Sequence, residues 1–310
     1  MAHLDPIAPA LTGVFPVLPT PFDRAGQVDE AALRRLVRYL LHCGADGMTY
    51  PGVASEVGEL TEPERRHLTA AVLDEVAGRA PVIAGVSSGH VDITISLARE
   101  AVAQGVTALM IAAPPDRPGA AAQIEYFGEI AGALPQVALM LQNVPPPMGA
   151  GLTADVLLQV LGAVPSIRYV KEETLPSGQR LSQVRASAPA SLLGVFGGAG
   201  GRYVTDELRR GAAGTMPAIE LTEVHVALFK AHRAGDNQRA RALFTRMLPV
   251  LNVQAVFRWS LTKHVLLRRG LLACDLQRAA GPRMDELDRA DVDAFLDDLA
   301  DLLPALDTLP

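Results

Sequence analysis

The stretch that decides the fold is Ile167–Glu173, which reads I-R-Y-V-K-E-E. Isoleucine, tyrosine and valine favour a β-strand, and the abrupt change to charged residues is typical of a strand that leaves a core. Side chains alternate along a strand, so Ile167, Tyr169 and Lys171 share one face. In a barrel this face points inward, and the amine of Lys171 then lies at the C-terminal mouth.

A lysine in that position has the surroundings of a Schiff-base nucleophile. Burial disfavours the ammonium form, so the amine loses its proton more readily and attacks a carbonyl carbon. The alternative is an ordinary surface lysine at the point where a strand leaves the core. Lysine is scarce in this chain, where most basic positions are arginine. Lys171 is also the only lysine at the predicted strand ends, which favours the functional interpretation.

The composition describes a folded protein that does not bind polyanions. The chain has 310 residues, of which 49% are hydrophobic and 20% charged, and its formal net charge is −6. These values are typical of a well-packed enzyme. Because no basic run is present, nucleic acid and anionic membranes are not predicted partners. The sequence shows no signal segment and no apolar run of spanning length, which predicts a cytoplasmic protein.

Cysteine and histidine usage argues against a metal site and against a disulfide framework. Cys43 and Cys274 are the two cysteines of the chain, and their positions show no metal-ligand spacing. Histidines on predicted helices form no cluster; they are His42, His67, His225, His232 and His264. We therefore expect neither a metal nor another cofactor, and a metal-dependent aldolase is disfavoured.

Short apolar segments recur along the chain with helical patterns between them. Their spacing is roughly thirty residues, the size of one βα unit. The segments are apolar throughout rather than alternating, which indicates parallel strands covered on both faces. The predicted strands are Gly13–Leu18, Gly47–Tyr50, Pro81–Val86, Ala108–Ala112, Val137–Leu141, Ile167–Lys171, Leu192–Phe196 and Ala213–Met216.

Three of the intervening helices have clear sequence signals. Apolar residues over Leu33–Leu41 recur at i, i+3, i+4, i+7 and i+8, which predicts one apolar helix face. The segment Thr61–Glu64 reads T-E-P-E, a capping box with a proline in the first turn, so a helix begins there. Another helix is predicted from about Thr153 to Leu161.

Eight such units predict the α/β class and a (β/α)8 TIM barrel in preference to an open doubly wound sheet. No G-x-G-x-x-G motif follows the first strand, which argues against a dinucleotide-binding fold. The alternation ends after about Gly235 and the pattern becomes helical. The predicted organisation is therefore a barrel over residues 1–235 and a C-terminal helical extension over residues 236–310. The predicted helices of the extension are Ala240–Leu251, Val253–Arg269 and Val292–Leu303.

Catalytic groups of such barrels lie at the C-terminal ends of the strands and in the loops that follow them. Lys171 is the candidate nucleophile. Glu173 is a candidate acid or base, with a solvated helix-capping role as the alternative. The run Gly197–Gly201 lets backbone approach a polar substrate, with Gly198 as the candidate contact, although a tight turn explains the run nearly as well. Arg202 either pairs with a sugar-acid carboxylate or points to solvent.

The order of these elements resembles the dihydrodipicolinate synthase / N-acetylneuraminate lyase family of class I, Schiff-base lyases. The resemblance extends over about residues 13–303. Each supporting segment is short, but five of them occur in the right order and on the right strands. They are Pro19–Phe22 after the first strand, Gly52–Glu56 after the second, Pro81–Val86 at the third, Gln142–Pro145 after the fifth and Val170–Glu172 at the sixth.

The resemblance implies that Lys171 forms a Schiff base with a 2-oxo acid such as pyruvate. It also implies that backbone amides near Val53 and Ala54 hold the carboxylate of that acid, with the hydroxyl of Ser55 beside them. Met216 falls where the eighth strand of the family presents a backbone carbonyl to the substrate. The usual assembly of the family predicts a homotetramer or a homodimer.

Several positions depart from the family pattern. The G-T-T-G-E loop of the family reads G-V-A-S-E over Gly52–Glu56, so both threonine hydroxyls are missing. The family's Y-N-V-P reads Q-N-V-P, which puts Gln142 in place of the tyrosine that relays protons. An amide has no useful acidity, so Gln142 orients groups or hydrogen-bonds to them but is no acid or base. The tyrosine expected from a neighbouring subunit is replaced within Pro114–Arg117, and Pro147 replaces the arginine found in dihydrodipicolinate synthases.

These departures argue against dihydrodipicolinate synthase activity and, with less force, against N-acetylneuraminate lyase activity. The local pattern resembles a divergent branch described as 2-keto-3-deoxy sugar-acid dehydratases, for example those acting on L-2-keto-3-deoxyarabonate. We therefore predict a Schiff-base lyase that acts on a 2-oxo acid and is either a dehydratase or an aldolase. The alternative is a family member that has lost its relay and serves as a small-molecule-binding or structural protein. The missing tyrosines and threonines favour this alternative, and the retention of Lys171 favours the enzyme.

Overall fold

The computed structural model describes residues 10–304 and contains a barrel of parallel strands. Eight strands are hydrogen-bonded in the order β1-β8-β7-β6-β5-β4-β3-β2. Val17 pairs in parallel with Thr49, which joins β1 to β2 and closes the ring. The α/β class and the TIM barrel are therefore confirmed. The strands are β1 Gly13–Val14, β2 Met48–Thr49, β3 Val82–Gly85, β4 Ala108–Ala112, β5 Ala138–Asn143, β6 Ile167–Glu172, β7 Gly194–Gly197 and β8 Gly214–Thr215.

Helices follow the strands and surround the barrel, and further helices extend the chain beyond the last strand. The capping box at Thr61 is confirmed, because its hydroxyl accepts from the Glu64 amide at the start of the second helix. No helix within residues 10–304 has the length and apolar character needed to cross a bilayer. The helices are α1 Glu30–His42, α2 Glu62–Val76, α3 Val91–Ala103, α4 Gly119–Ala133, α5 Ala154–Ala163, α6 Ser177–Ser187, α7 Val204–Arg209, α8 Thr222–Arg233, α9 Asn237–Phe257, α10 Trp259–Arg268 and α11 Glu286–Asp297.

Two of the differences between the observed and predicted strand bounds have a clear backbone cause. The first strand is regular only over Gly13–Val14, because Pro16 lacks the amide hydrogen that the ladder to β2 needs. Pairing resumes at Val17. The seventh strand begins later than predicted, because the amide of Leu192 bonds to the carbonyl of Pro189 in a turn.

The C-terminal helices are present, but the predicted break between the first two was wrong. The helix α9 continues to Phe257, and the chain turns at Arg258, whose φ is 39°. The third helix begins earlier than predicted because Asp285 and Asp288 form a capping box. These helices share an apolar core with β1, α7 and α8. The division into domains after residue 235 stays a prediction, and its outer ends, residues 1–9 and 305–310, lie outside the described residues.

Aromatic and sulfur-containing side chains fill the barrel interior. The rings of Phe15 and Tyr169 both pack edge-on against Phe196, with centroid distances of 5.6 and 6.1 Å. The predicted inward position of Ile167 was wrong, since this side chain packs in the layer between the strands and the outer helices. A register shift between β5 and β6 leaves Arg168 without a partner residue and breaks the alternation there.

Barrel closure depends on a close approach of β8 to β1. A Cβ at Gly214 would lie 2.0 Å from the carbonyl oxygen of Gly13 and 2.7 Å from the ring of Phe196. Because the first of these atoms is backbone, the strand has to move to relieve the contact. We predict that Gly214→Ala lowers the free energy of unfolding by about 1–3 kcal/mol, the usual cost of overpacking, measured by urea denaturation.

Gly128, on the exposed side of α4, provides the matched control. A Cβ there meets nothing within 4 Å, so Gly128→Ala is expected to raise the free energy of unfolding by about 0.5–1 kcal/mol through helix propensity. Equal urea midpoints for the wild type and Gly214→Ala would show that the closure tolerates a side chain at this position.

Candidate active site

The strand β6 carries Lys171 to the C-terminal mouth of the barrel. In register it lies between Gln142 of β5 and Phe196 of β7. Its side chain is only 6% exposed, and it faces a cavity of about 150 Å³ at the mouth. Predicted site residues that line the same cavity are Val53, Ala54, Glu173, Arg202 and Met216.

The carboxylate of Glu173 is held against the lysine. Its Oε1 lies 3.4 Å from Nζ of Lys171 and accepts a hydrogen bond from the backbone amide of Ala199 at 3.0 Å. Its Oε2 accepts from Nε2 of Gln142 at 2.7 Å. Burial raises the pKa of Glu173, but the charge of Lys171 and these hydrogen bonds outweigh it, so the pKa lies below its ordinary value. The structure thus brings the three predicted catalytic residues together around an ionised carboxylate.

The neighbouring Glu172 faces away from the cavity. It accepts hydrogen bonds from Nδ2 of Asn143 at 2.9 Å and from the backbone amide of Thr174 at 2.8 Å. Burial nevertheless raises its pKa. Glu172 ends β6 and Glu173 follows it in extended backbone, so their side chains point to opposite faces. Glu173 contacts the lysine, and Glu172 braces the turn after β6. Glu173 does not cap the following helix, since Pro176 occupies the N-cap of α6.

The loop after β2 borders the cavity and has two free backbone amides. Val53 and Ala54 line it, and within the described residues neither of their amides donates a hydrogen bond. The carbonyl of Val53 accepts from Nε1 of Trp259 at 2.8 Å, which orients the loop. The hydroxyl of Ser55 is committed to backbone, since it accepts from the Gly52 amide and donates to the carbonyl of Leu18. Ser55 therefore braces this loop from behind.

The glycine-rich segment after β7 packs beneath the carboxylate. Gly198 does not line the cavity, but a Cβ there would lie 2.5 Å from Cγ of Glu173, so this glycine makes room for that side chain. Arg202 is half-buried and donates to Oε1 of Gln254 at 3.0 Å. It faces the cavity rather than open solvent.

The C-terminal helices contribute a wall of the cavity that the sequence prediction missed. Residues of α9, α10 and the turn between them line it: Gln254, Arg258, Trp259 and Thr262. Barrels carry their catalytic groups at the strand ends and in the loops that follow them, and these helices lie outside both. One signal was available, because Trp259 is the only tryptophan in the chain.

The other buried lysine is not available for chemistry at the cavity. Lys263 has no exposed side-chain surface and pairs with an equally buried Glu56. It also donates to the carbonyl of Leu276 at 2.7 Å and sits 4.2 Å from the centroid of the Phe22 ring. Within residues 10–304, no group of three histidine, cysteine, aspartate or glutamate side chains is arranged to hold a metal ion.

Comparison with known proteins places the chain in a family. A model described as the Dihydrodipicolinate synthetase family matches residues 10–296. The chain belongs to this family. Its members include lyases and dehydratases, and the resemblance inferred from the five short segments is confirmed.

Individual members of the dihydrodipicolinate synthetase family match over nearly the whole chain. An L-2-keto-3-deoxyarabonate dehydratase of Azospirillum brasilense is 29% identical over 291 residues, which cover 92% of this chain and 93% of the relative. A 4-hydroxy-tetrahydrodipicolinate synthase of Thermus thermophilus is 32% identical over 283 residues, 89% of this chain and 92% of the relative. The crystal structure of a dihydrodipicolinate synthase from Rhodopseudomonas palustris, 28% identical, aligns with a TM-score of 0.88 over 94% of this chain and 98% of that one.

A third carboxyl, Glu207 of α7, is buried near the site. Its Oε1 accepts from Oγ of Ser177 at 2.7 Å, whereas Oε2 has no partner within the described residues. A Cβ at Gly197 would lie 1.8 Å from that Oε2. Burial raises the pKa of Glu207 to about 7, and the nearby charge of Glu173 adds to the effect. The folded protein therefore favours the neutral carboxyl.

This carboxyl makes stability fall as the pH rises. Below about pH 4.5 Glu207 is protonated in both the folded and the unfolded chain, whereas above about pH 7 the folded chain must bury the charge. The shift corresponds to a loss on the order of 3 kcal/mol across that window. We predict that Glu207→Gln removes this loss, so urea midpoints measured at about pH 5 and about pH 8 differ less than in the wild type. An unchanged pH dependence in the variant would contradict the buried charge.

Proposed function

We propose that the protein is a class I lyase that forms a Schiff base between Lys171 and a 2-oxo acid. Dehydration of a 2-keto-3-deoxy sugar acid is the reaction that fits best. One observation carries the proposal: Lys171 is buried at the end of β6 and faces a cavity, with the carboxylate of Glu173 3.4 Å from its amine. A nucleophile with an adjacent proton acceptor is the arrangement that covalent catalysis needs.

Binding and imine formation use the residues around the lysine. The substrate carboxylate accepts hydrogen bonds from the free amides of Val53 and Ala54. Glu173 accepts the proton that the ammonium of Lys171 must lose. The amine then attacks C2, and one of its own protons passes to the former carbonyl oxygen. Glu173 returns the proton that it accepted to this oxygen, which leaves as water and gives an iminium, with Glu173 ionised again. This cation withdraws electrons and makes the hydrogen on C3 more acidic.

The elimination step needs a group that moves protons, and Glu173 fills that role. Its carboxylate removes the proton from C3, and the electron pair of that bond passes to the iminium to form an enamine. The protonated Glu173 then donates its proton to the hydroxyl on C4, which leaves as water. Water finally hydrolyses the imine, which frees Lys171 and the unsaturated acid. Gln142 holds the carboxylate in place throughout through the 2.7 Å hydrogen bond.

Two observations support dehydration over the synthase reaction. Gln142 stands where the family carries its relay tyrosine, and it donates to Glu173 instead of moving a proton itself. Among the relatives, an L-2-keto-3-deoxyarabonate dehydratase matches over 92% of the chain. Aldol cleavage through the same Schiff base is the second candidate, since the iminium also supports breaking the C3–C4 bond. A homotetramer or homodimer is the assembly that family membership supports.

The central prediction is covalent labelling of Lys171. Incubation with pyruvate and sodium borohydride is expected to add the mass of pyruvate, less one water and plus two hydrogens, because reduction traps the iminium. Intact mass and peptide mapping measure the label. Lys171→Ala is expected to abolish it, and Lys230→Ala, at an exposed position on α8, serves as the matched control. An unlabelled wild type would favour a small-molecule-binding or structural protein instead.

A second prediction separates proton transfer from imine formation. Glu173→Gln is expected to lower the turnover of 2-keto-3-deoxy sugar acids, assayed with L-2-keto-3-deoxyarabonate and with an analogue that has a carboxylate at both ends, by about 10²–10⁴-fold, the usual contribution of an acid or base. Borohydride labelling by pyruvate should still reach completion, although more slowly, since the nucleophile is intact and water can take its proton in place of Glu173. Glu129→Gln, on the exposed side of α4, is the control for the same chemical change. Full turnover in Glu173→Gln would assign the proton transfer to another group.

A further inference from the structure

We propose that the substrate carries a second anionic group, a carboxylate or a phosphate monoester, at the end remote from its 2-oxo acid. The structure assigns the binding of this group to Arg202 and Arg258. The inference rests on the proposed function, because it takes Lys171 and the amides of Val53 and Ala54 as the site of the 2-oxo acid end.

The charge balance of the cavity is the first support. Lys171, Arg202 and Arg258 line it, and Glu173 is the only carboxylate among its lining residues. That carboxylate is already engaged by the lysine, by Gln142 and by a backbone amide. A 2-oxo acid with one carboxylate uses that carboxylate at the free amides near the lysine. The guanidinium groups of Arg202 and Arg258 are then left without a counter-ion.

Neither arginine forms an ion pair within residues 10–304. Arg202 donates to the neutral amide oxygen of Gln254, and Arg258 contacts Sδ of Met148 at 3.5 Å. Other arginines in the C-terminal part of the chain do pair, for example Arg269 with Glu223 at 2.6 Å. Guanidinium groups bind carboxylate and phosphate through paired N–H donors, so two unpaired groups at one cavity favour an anionic ligand.

The backbone places both arginines at the cavity. Arg258 occupies the turn between α9 and α10 with φ 39° and ψ −104°, a conformation that costs a non-glycine residue energy and persists only where packing enforces it. Gly200 has φ 70°, and a Cβ there would lie 2.7 Å from Oε1 of Gln254 and 3.4 Å from Nη1 of Arg202. The glycine therefore lets the pair of Arg202 and Gln254 pack against the loop.

The carboxyl behind this wall does not neutralise the arginines. Glu220 is buried and accepts a hydrogen bond from Oγ1 of Thr262 at 3.1 Å. Burial raises its pKa to about 7, although the charge of Arg202 opposes the rise. A large fraction of this carboxyl is neutral near pH 7, so the positive charge at the cavity is available to a ligand.

The test compares ligands that differ only at the remote end. Titration calorimetry measures the affinity of the wild type for 2-oxoadipate, for 2-oxohexanoate and for a six-carbon 2-oxo acid with a terminal phosphate monoester. We expect 2-oxoadipate or the phosphate ester to bind at least about tenfold more tightly than 2-oxohexanoate, the size of one charge-assisted contact. The more tightly bound of the two anions identifies the second group as carboxylate or phosphate.

Substitution assigns the preference to the two arginines. The preference is the affinity for the more tightly bound anionic acid divided by the affinity for 2-oxohexanoate. Arg202→Gln and Arg258→Gln are each expected to reduce this ratio by about threefold or more, and the double variant to bring it to about one. The ratio corrects for any general loss of binding. Arg239→Gln removes one charge from the exposed side of α9 and should leave the ratio unchanged.

The outcomes separate this inference from the proposed function. A wild type that is labelled by pyruvate but binds the three acids equally overturns the anionic subsite alone, as does a preference that survives the double variant. A wild type that prefers an anionic acid, loses the preference in the double variant and is never labelled by pyruvate overturns the Schiff-base function and supports the subsite.

Discussion

The contact between Lys171 and Glu173 is the interaction on which the site depends. Both groups are withdrawn from water at the barrel mouth, with side chains 6% and 13% exposed, and each is costly to bury without the other. Gln142 and the Ala199 amide complete the hydrogen bonding of the carboxylate. The strands β5 and β6 and the loop after β7 are therefore connected through the pair of Lys171 and Glu173. The pair gives the amine a proton acceptor and the carboxylate a counter-ion, so a single arrangement serves both stability and the proposed chemistry.

The C-terminal helices are tied to the same mouth by buried polar contacts. Trp259 donates to the carbonyl of Val53, and Glu56 accepts from Lys263 and from the amide of Ala279. Because removing one partner of a buried ion pair leaves an uncompensated charge, the loop after β2 and the helix α10 hold each other in place. The helices are therefore part of the site: they orient the amides proposed to bind the carboxylate and bring Arg258 to the cavity.

Three buried carboxyls near the barrel mouth differ in their partners, and their ionisation follows. Glu173 faces a lysine, and its pKa is lowered despite burial. Glu207 has one hydroxyl donor and nearby negative charge, and Glu220 has one hydroxyl donor and a distant arginine; burial raises the pKa of each to about 7. The same side chain is thus ionised in one place and largely neutral in another, and the balance between burial and nearby cationic charge decides which.

Local sequence determined the repeating βα units, the capping box at Thr61 and the position of Lys171 at a strand end, because these depend on residue propensity and short-range periodicity. Tertiary structure decided the rest. A register shift between β5 and β6 turned Ile167 to the outer layer. The carbonyl of Leu18, outside the loop of Ser55, accepted the hydroxyl hydrogen of that serine. Helices more than eighty residues along the chain from Lys171 supplied Arg258 and Trp259 to its cavity. Such contacts depend on which segments meet in space, and no local pattern carries that information.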